Sequence, residues 1–167
     1  MEYEALAVPF DRRGARFEEQ ISLLRALWTN ELVSFEGQFH RVVDAGLNPL
    51  PEPPPEIWLG GGSTKRALDR IARLADGWMM PWRPLDVART EIEDFRRLAE
   101  SHGRDPGSIG LEVRLYLGRT PREQWHEEAE TWAELGATRL DLVTEGLGLT
   151  TVTEQLETLD DALGVVR

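Results

Sequence analysis

The chain has no cysteine among its 167 residues, which removes disulfides, thiolate metal sites and thiol nucleophiles from consideration. It is also short of positive charge. Thirty acidic residues stand against 19 basic ones, for a formal net charge of -11. That balance repels phosphate backbones and anionic lipid, so neither nucleic acid nor a membrane surface is an expected partner. No apolar run approaches the length of a membrane span, and the stretch from Met1 to Glu19 is charged and lacks the apolar core of a signal peptide. A cytoplasmic location is the expectation. Neither a G-x-S-x-G nucleophile motif nor a Walker phosphate loop occurs. Histidine is scarce: His40, His102 and His126 have no third ligand at metal spacing, so no metal site is expected and all three read as solvated.

What is present is a hydrophobic share of 41%, enough for one packed domain. Phe17, Ile21, Leu24 and Trp28 recur at spacings of four, three and four, one stripe of a helix over Arg13 to Thr29. Val33 to Phe35 and Phe39 to Val42 flank Glu36-Gly37-Gln38 and read as a small hairpin. The run from Asn48 to Pro55 is too rich in proline for helix or central strand and reads as an extended connector. The expected organisation is therefore a helix and hairpin over 1–45, a connector over 46–56, and the remainder over 57–167.

That remainder repeats one pattern four times. Ile57-Trp58-Leu59 is followed by a helix with Leu68, Ile71, Ala72 and Ala75 on one face. Trp78-Met79-Met80 is followed by one with Ala88, Ile92, Phe95 and Ala99. Ile109 to Leu117 precedes a helix carrying Trp125, Ala129 and Trp132, and Leu140 to Val143 precedes one with Val152, Leu156, Leu159 and Leu163. Four strand-then-helix units predict a parallel α/β sheet with right-handed crossovers. A doubly wound sheet and part of a barrel both satisfy this order. The strand from Ile109 favours the barrel, because Leu111, Val113 and Leu115 alternate with Glu112, Arg114 and Tyr116, which suits one face toward helices and one toward a polar lumen. Arg139 and Asp141 on the next strand should join those polar residues in an internal ion-pair network.

Three segments carry a family likeness: Gly46-Leu47-Asn48-Pro49-Leu50-Pro51, Pro55-Glu56-Ile57-Trp58-Leu59-Gly60-Gly61-Gly62-Ser63 and Ala75-Asp76-Gly77-Trp78. Together they resemble the luciferase-like monooxygenase superfamily, in particular its branch using coenzyme F420. The likeness extends over essentially the whole chain. It implies the C-terminal half of a (β/α)8 TIM barrel, about four parallel βα units preceded by a helix and a small hairpin. A complete barrel takes roughly 250 residues, so the expectation is a gene fragment, one product of a split gene, or a half-barrel that assembles with a second copy. The expected partners are a small-molecule substrate and either a homo-oligomer or a complementing N-terminal half.

Gly60-Gly61-Gly62-Ser63 lies between an expected strand and an expected helix, where backbone amides and a helix N-terminus can face an anion. By resemblance it cradles the phosphate-bearing tail of F420, or alternatively FMN, with Ser63 adding a hydroxyl and capping the helix. The plainer alternative is a tight turn that needs glycine for its dihedrals. Trp78, Met79 and Met80 are the other candidate cofactor contacts, against ordinary core. Lys65 and Arg66 read as solvated, and Tyr116 with the loop Thr144 to Gly148 is a minor candidate for facing substrate. The resemblance implies a flavin- or F420-dependent oxidoreductase or monooxygenase module, catalytically incomplete alone and with no acid or base assigned. The alternatives are a non-catalytic half-barrel remnant or assembly partner, and a small domain binding a phosphorylated ligand.

Overall fold

A computed structural model of the chain describes residues 2–62 and 64–166. It divides into two compact units, Met1–Glu56 and Ile57–Arg167.

In the first unit a short α1 (Glu2–Ala5) precedes α2 (Arg13–Thr29), and β1 (Val33–Glu36) pairs antiparallel with β2 (Arg41–Ala45). The helix has the expected bounds, but its buried positions are Ile21 and Leu23, while Phe17 and Leu24 remain 41% exposed. Leu23, Leu24, Leu27 and Trp28 run round the helix, so a stripe counted through Phe17 does not single out the packed side. One carboxylate pins the hairpin turn. Glu19 accepts hydrogen bonds from the backbone N–H groups of Gln38 (2.6 Å), Phe39 (2.8 Å) and His40 (2.7 Å), and its Oε1 lies 2.8 Å from His40 Nδ1. Gly37 is required there, since a Cβ would lie 2.4 Å from the Glu19 carboxyl carbon.

The second unit is a four-stranded parallel sheet in the order β3 (Trp58–Gly60), β4 (Gly77–Met79), β5 (Gly110–Tyr116), β6 (Arg139–Val143). Each strand leads into one helix: α3 (Lys65–Leu74), α4 (Leu85–Ser101), α5 (Trp125–Glu134) and α6 (Val152–Val166). Chain order and spatial order coincide, without the reversal that defines a doubly wound sheet. Four βα units progressing in one direction are an arc of a (β/α)8 barrel.

Strand pairing assigns the two faces of the sheet. Trp58, Gly77 and Gly110 are in register, as are Gly60, Met79, Glu112 and Arg139 along the next row on the same side. Leu59, Trp78, Leu111, Val113 and Leu115 therefore point the other way, where they are buried with Ile71, Ile92 and Phe95. Trp78 packs on Phe95 with ring centroids 5.0 Å apart. Toward the last strand, Leu115 and Leu117 continue this core with Trp125 and Ala162. The alternation in β5 thus separates a helix-packed face from a polar one, as a barrel strand requires.

Candidate functional site

In parallel α/β folds the C-terminal ends of the strands are where ligands bind, and at the end of β3 the chain turns through Gly60, Gly61 and Gly62. Gly61 and Gly62 have φ of 111° and 118°, a region closed to most L-residues. Their surroundings differ. Among the described residues beyond the chain neighbours, a Cβ on Gly60 or Gly61 would meet nothing within 4 Å, whereas one on Gly62 would lie 3.0 Å from the Trp78 ring. The open side of the loop thus lies at Gly60 and Gly61. Ser63 lies outside the described residues. The helix cap belongs to Thr64, not to Ser63 as expected: Thr64 Oγ1 accepts from the Ala67 N–H at 3.2 Å. Lys65 and Arg66 are exposed, in line with solvation.

The next strand splits the remaining candidates. Trp78 is 0% exposed, and its Nε1–H donates to the Gly61 carbonyl at 2.7 Å. It supports the loop from the core side and presents no surface to a ligand. Met80 is buried as well, and its N–H donates to the Glu112 carbonyl at 2.9 Å. Met79 is in register with Gly60 and Glu112 on the polar face, so it is the member of this trio that a ligand on that face can reach.

A feature that periodicity alone did not single out organises that face. Trp58 lies flat across β4 and β5, where a Cβ on Gly77 would be 2.2 Å from its ring and one on Gly110 2.3 Å. Arg139, from β6, covers the same ring at 3.8 Å from the centroid. Glycines inside two adjacent strands were the available signal, since a strand glycine often marks close approach by another group. Beyond Trp58, Arg114 Nε is 3.9 Å from Asp141 Oδ2. Burial, the neighbouring Asp141 charge and a hydrogen bond with Asp141 push the Glu112 carboxyl above its ordinary range, against the opposing pull of Arg114 and Arg139. Of the expected ion-pair network the structure shows the Arg114–Asp141 pair, with Glu112 a reluctant acid beside it and Arg139 stacked on Trp58.

The histidines are partnered rather than simply solvated: His40 by Glu19, His102 by Asp69 at 2.8 Å and His126 by Glu130 at 3.5 Å. Each finds a carboxylate because acids outnumber bases so heavily. Among the described residues no cluster could hold a metal ion, and no helix is long and apolar enough to cross a membrane. A groove of about 300 Å³ between α5, Ala137 to Leu140 and Val166 shares no residue with the glycine loop.

A sequential βα arc with a glycine turn at the C-terminal end of its first strand defines a barrel-type fold, and comparison with known proteins makes the assignment specific. The profile of the luciferase-like monooxygenase family matches residues 1–162, and the chain belongs to that family. An F420-dependent glucose-6-phosphate dehydrogenase of Segniliparus rotundus is 30% identical over 161 residues, covering 92% of this chain and 45% of that protein. An FMNH2-dependent dimethylsulfone monooxygenase of Pseudomonas putida is 34% identical over 107 residues, covering 61% of this chain and 29% of its own length. Among solved structures, an F420-dependent secondary alcohol dehydrogenase in complex with an F420-acetone adduct superposes with a TM-score of 0.69 at 15% identity, over 89% of this chain and 60% of that one. At that identity the likeness speaks for the fold alone. The chain spans 29% to 45% of the length of these curated relatives.

Proposed function

We propose that this chain forms the phosphate-tail side of a cofactor pocket in an F420-dependent oxidoreductase acting on a small molecule, with FMN as the alternative cofactor. The observation that carries the reading is the open side of Gly60 and Gly61 at the end of β3, where, among the described residues beyond the chain neighbours, no atom stands within 4 Å of either Cβ position. Backbone amides there and the first turn of α3 suit a phosphate, and Met79 offers apolar contact from the neighbouring strand. Trp78 and Met80 act from behind, by fixing the loop and the strand that bears Met79. The bound cofactor would supply the hydride or oxygen chemistry, while the protein sets orientation and access. A dehydrogenase and a monooxygenase among the relatives, one named for F420 and one for FMNH2, support the class and leave the cofactor to experiment.

The test is titration of F420 and FMN into the purified protein, followed by absorbance and tryptophan quenching. Saturable binding of either that is lost in Gly61→Val is the expected outcome. Binding of inorganic phosphate with no affinity for either cofactor would point to a domain for a simple phosphorylated ligand. Binding of neither would point to a non-catalytic half-barrel.

The sheet also supports a reading about partners. Within the described sheet, β3 and β6 each pair on one side only, and such edges invite further strands. We propose that a second copy of the chain, or an N-terminal half supplied in trans, completes the sheet and the catalytic centre. Sedimentation equilibrium at low micromolar concentration should find a dimer or larger species, and a cooperative, well-folded monomer would overturn this.

A further inference from the structure

We propose that Arg119 is an anion-recognition residue, so that the substrate presented to the glycine-loop end of the sheet carries a phosphate or a carboxylate. The inference rests on the cofactor reading only in taking the C-terminal strand ends as the ligand-binding side. The Arg119 guanidinium lies 4.2 Å from the Tyr116 ring centroid and 5.0 Å from that of Trp82. The two rings come from adjacent strand ends, since Tyr116 is the last residue of β5 and Trp82 follows shortly after β4. β5, which carries Tyr116 and leads to Arg119, lies two strand spacings from the glycine loop at the end of β3, about 10 Å across the sheet. That is within the span of a small substrate lying beside a cofactor.

Arg119 combines a place at the C-terminal ends of the strands with the lack of a carboxylate partner among the described residues. The chain has 30 acids for 19 bases. Arg83, Arg97, Arg114 and Arg122 are paired with Glu91, Asp94, Asp141 and Asp161. Arg119 is exposed at the mouth, and among the described residues it makes no ion pair. Two aromatic faces stabilise the charge without using its N–H donors. The fork of the guanidinium therefore stays available to two oxygens of a phosphate or carboxylate. The backbone beneath it is fixed. The Arg119 N–H donates to the Tyr116 carbonyl at 2.9 Å. Gly118, immediately before it, packs so closely on the loop after β6 that a Cβ would come within 2.9 Å of the Glu145 carbonyl oxygen. Held cations without acids are expected where a ligand supplies the negative charge.

The experiment titrates glycerol phosphate, acetate and glycerol into the cofactor-free protein, with tryptophan fluorescence as the readout because Trp82 borders the site. One or both anions should bind saturably and glycerol should not, and the two anion arms tell phosphate from carboxylate. Arg119→Ala should weaken the favoured anion by about tenfold or more, Arg119→Lys should recover part of it, and both should stay folded, with the thermal unfolding midpoint lowered by no more than about 5 °C through the loss of exposed cation–π contacts. Undiminished anion binding in Arg119→Ala, or no anion binding by the wild type, overturns the proposal. A parallel cofactor titration separates the two readings. Arg119-dependent anion binding in a protein that takes up neither F420 nor FMN would sink the cofactor assignment and leave this inference standing.

Discussion

On the helix side of the four-stranded sheet Leu59, Trp78, Leu111, Val113 and Leu115 are buried against apolar helix residues, whereas on the other side Trp58, Glu112, Arg114, Arg139 and Asp141 form a polar, partly exposed row. Each face holds one central tryptophan. Trp78 is sealed beneath the glycine loop and Trp58 lies across two strand glycines with Arg139 on top. The difference teaches where stability and function are separable. Changes on the helix face act first through packing, and changes on the polar face and at the mouth act first through charge and ligand access.

The sharpest way to break that distinction is to truncate both tryptophans. Trp78→Ala should cost about 3 kcal/mol or more, because a fully buried aromatic is lost and leaves a cavity. It should also loosen the loop whose Gly61 carbonyl it holds. Trp58→Ala should cost less, about 2 kcal/mol, since the ring is only partly removed from water. Urea unfolding followed by circular dichroism measures both. Equal losses would show that the polar face is as tightly packed as the helix face.

The glycine loop gives a second, smaller contrast. Both Gly61 and Gly62 sit at positive φ, so any side chain is strained by about 1 kcal/mol or more. Only Gly62 also abuts the Trp78 ring. Gly62→Val should therefore reduce folding stability and cofactor binding together, while Gly61→Val should reduce cofactor binding far more than stability. Parallel denaturation and cofactor titration of the two variants check this. Matching profiles would return the loop to a purely conformational role.

Much of this arrangement could be read from residue order. The repeated switch from short apolar runs to helical spacing gave all four βα units, and the alternation in β5 assigned its faces, because both are local periodicities imposed by backbone geometry. Features that depend on meetings across strands were less legible. Trp58 over Gly77 and Gly110, or Arg119 between Trp82 and Tyr116, join residues far apart in sequence with no shared period. For Trp78 residue order leaves both ligand contact and core open, since a three-residue strand carries too little alternation to fix a face. The stripe counted through Phe17 failed for a related reason: in a helix apolar on several sides, the docking partner decides which residues are buried.

The smallest expected effect concerns two carboxyls that depart from their ordinary range in opposite directions. Glu112 is pushed up, chiefly by burial and by Asp141. Burial pushes Glu19 up too, but hydrogen bonds from the His40 side chain and from the Phe39, Gln38 and His40 amides outweigh it and leave the carboxyl below its usual range. A raised folded pKa means that Glu112 contributes stability below its unfolded pKa and loses it as pH rises through the raised value. Glu112→Gln, with no charge to desolvate, should thus be more stable than wild type at neutral pH, with the gain vanishing as pH falls into the ordinary carboxylate range. For Glu19 the sign reverses. Its contribution is present above the unfolded pKa and is lost as pH falls through the lowered folded value, so Glu19→Gln should be less stable at neutral pH and should converge on wild type in acid. Urea midpoints of the three proteins between neutral pH and the acid end of the carboxylate range test both signs. If Glu112→Gln proves destabilising at neutral pH, the ionised Glu112 is a favourable member of the ion-pair row, and Arg114 and Arg139 prevail over burial and Asp141.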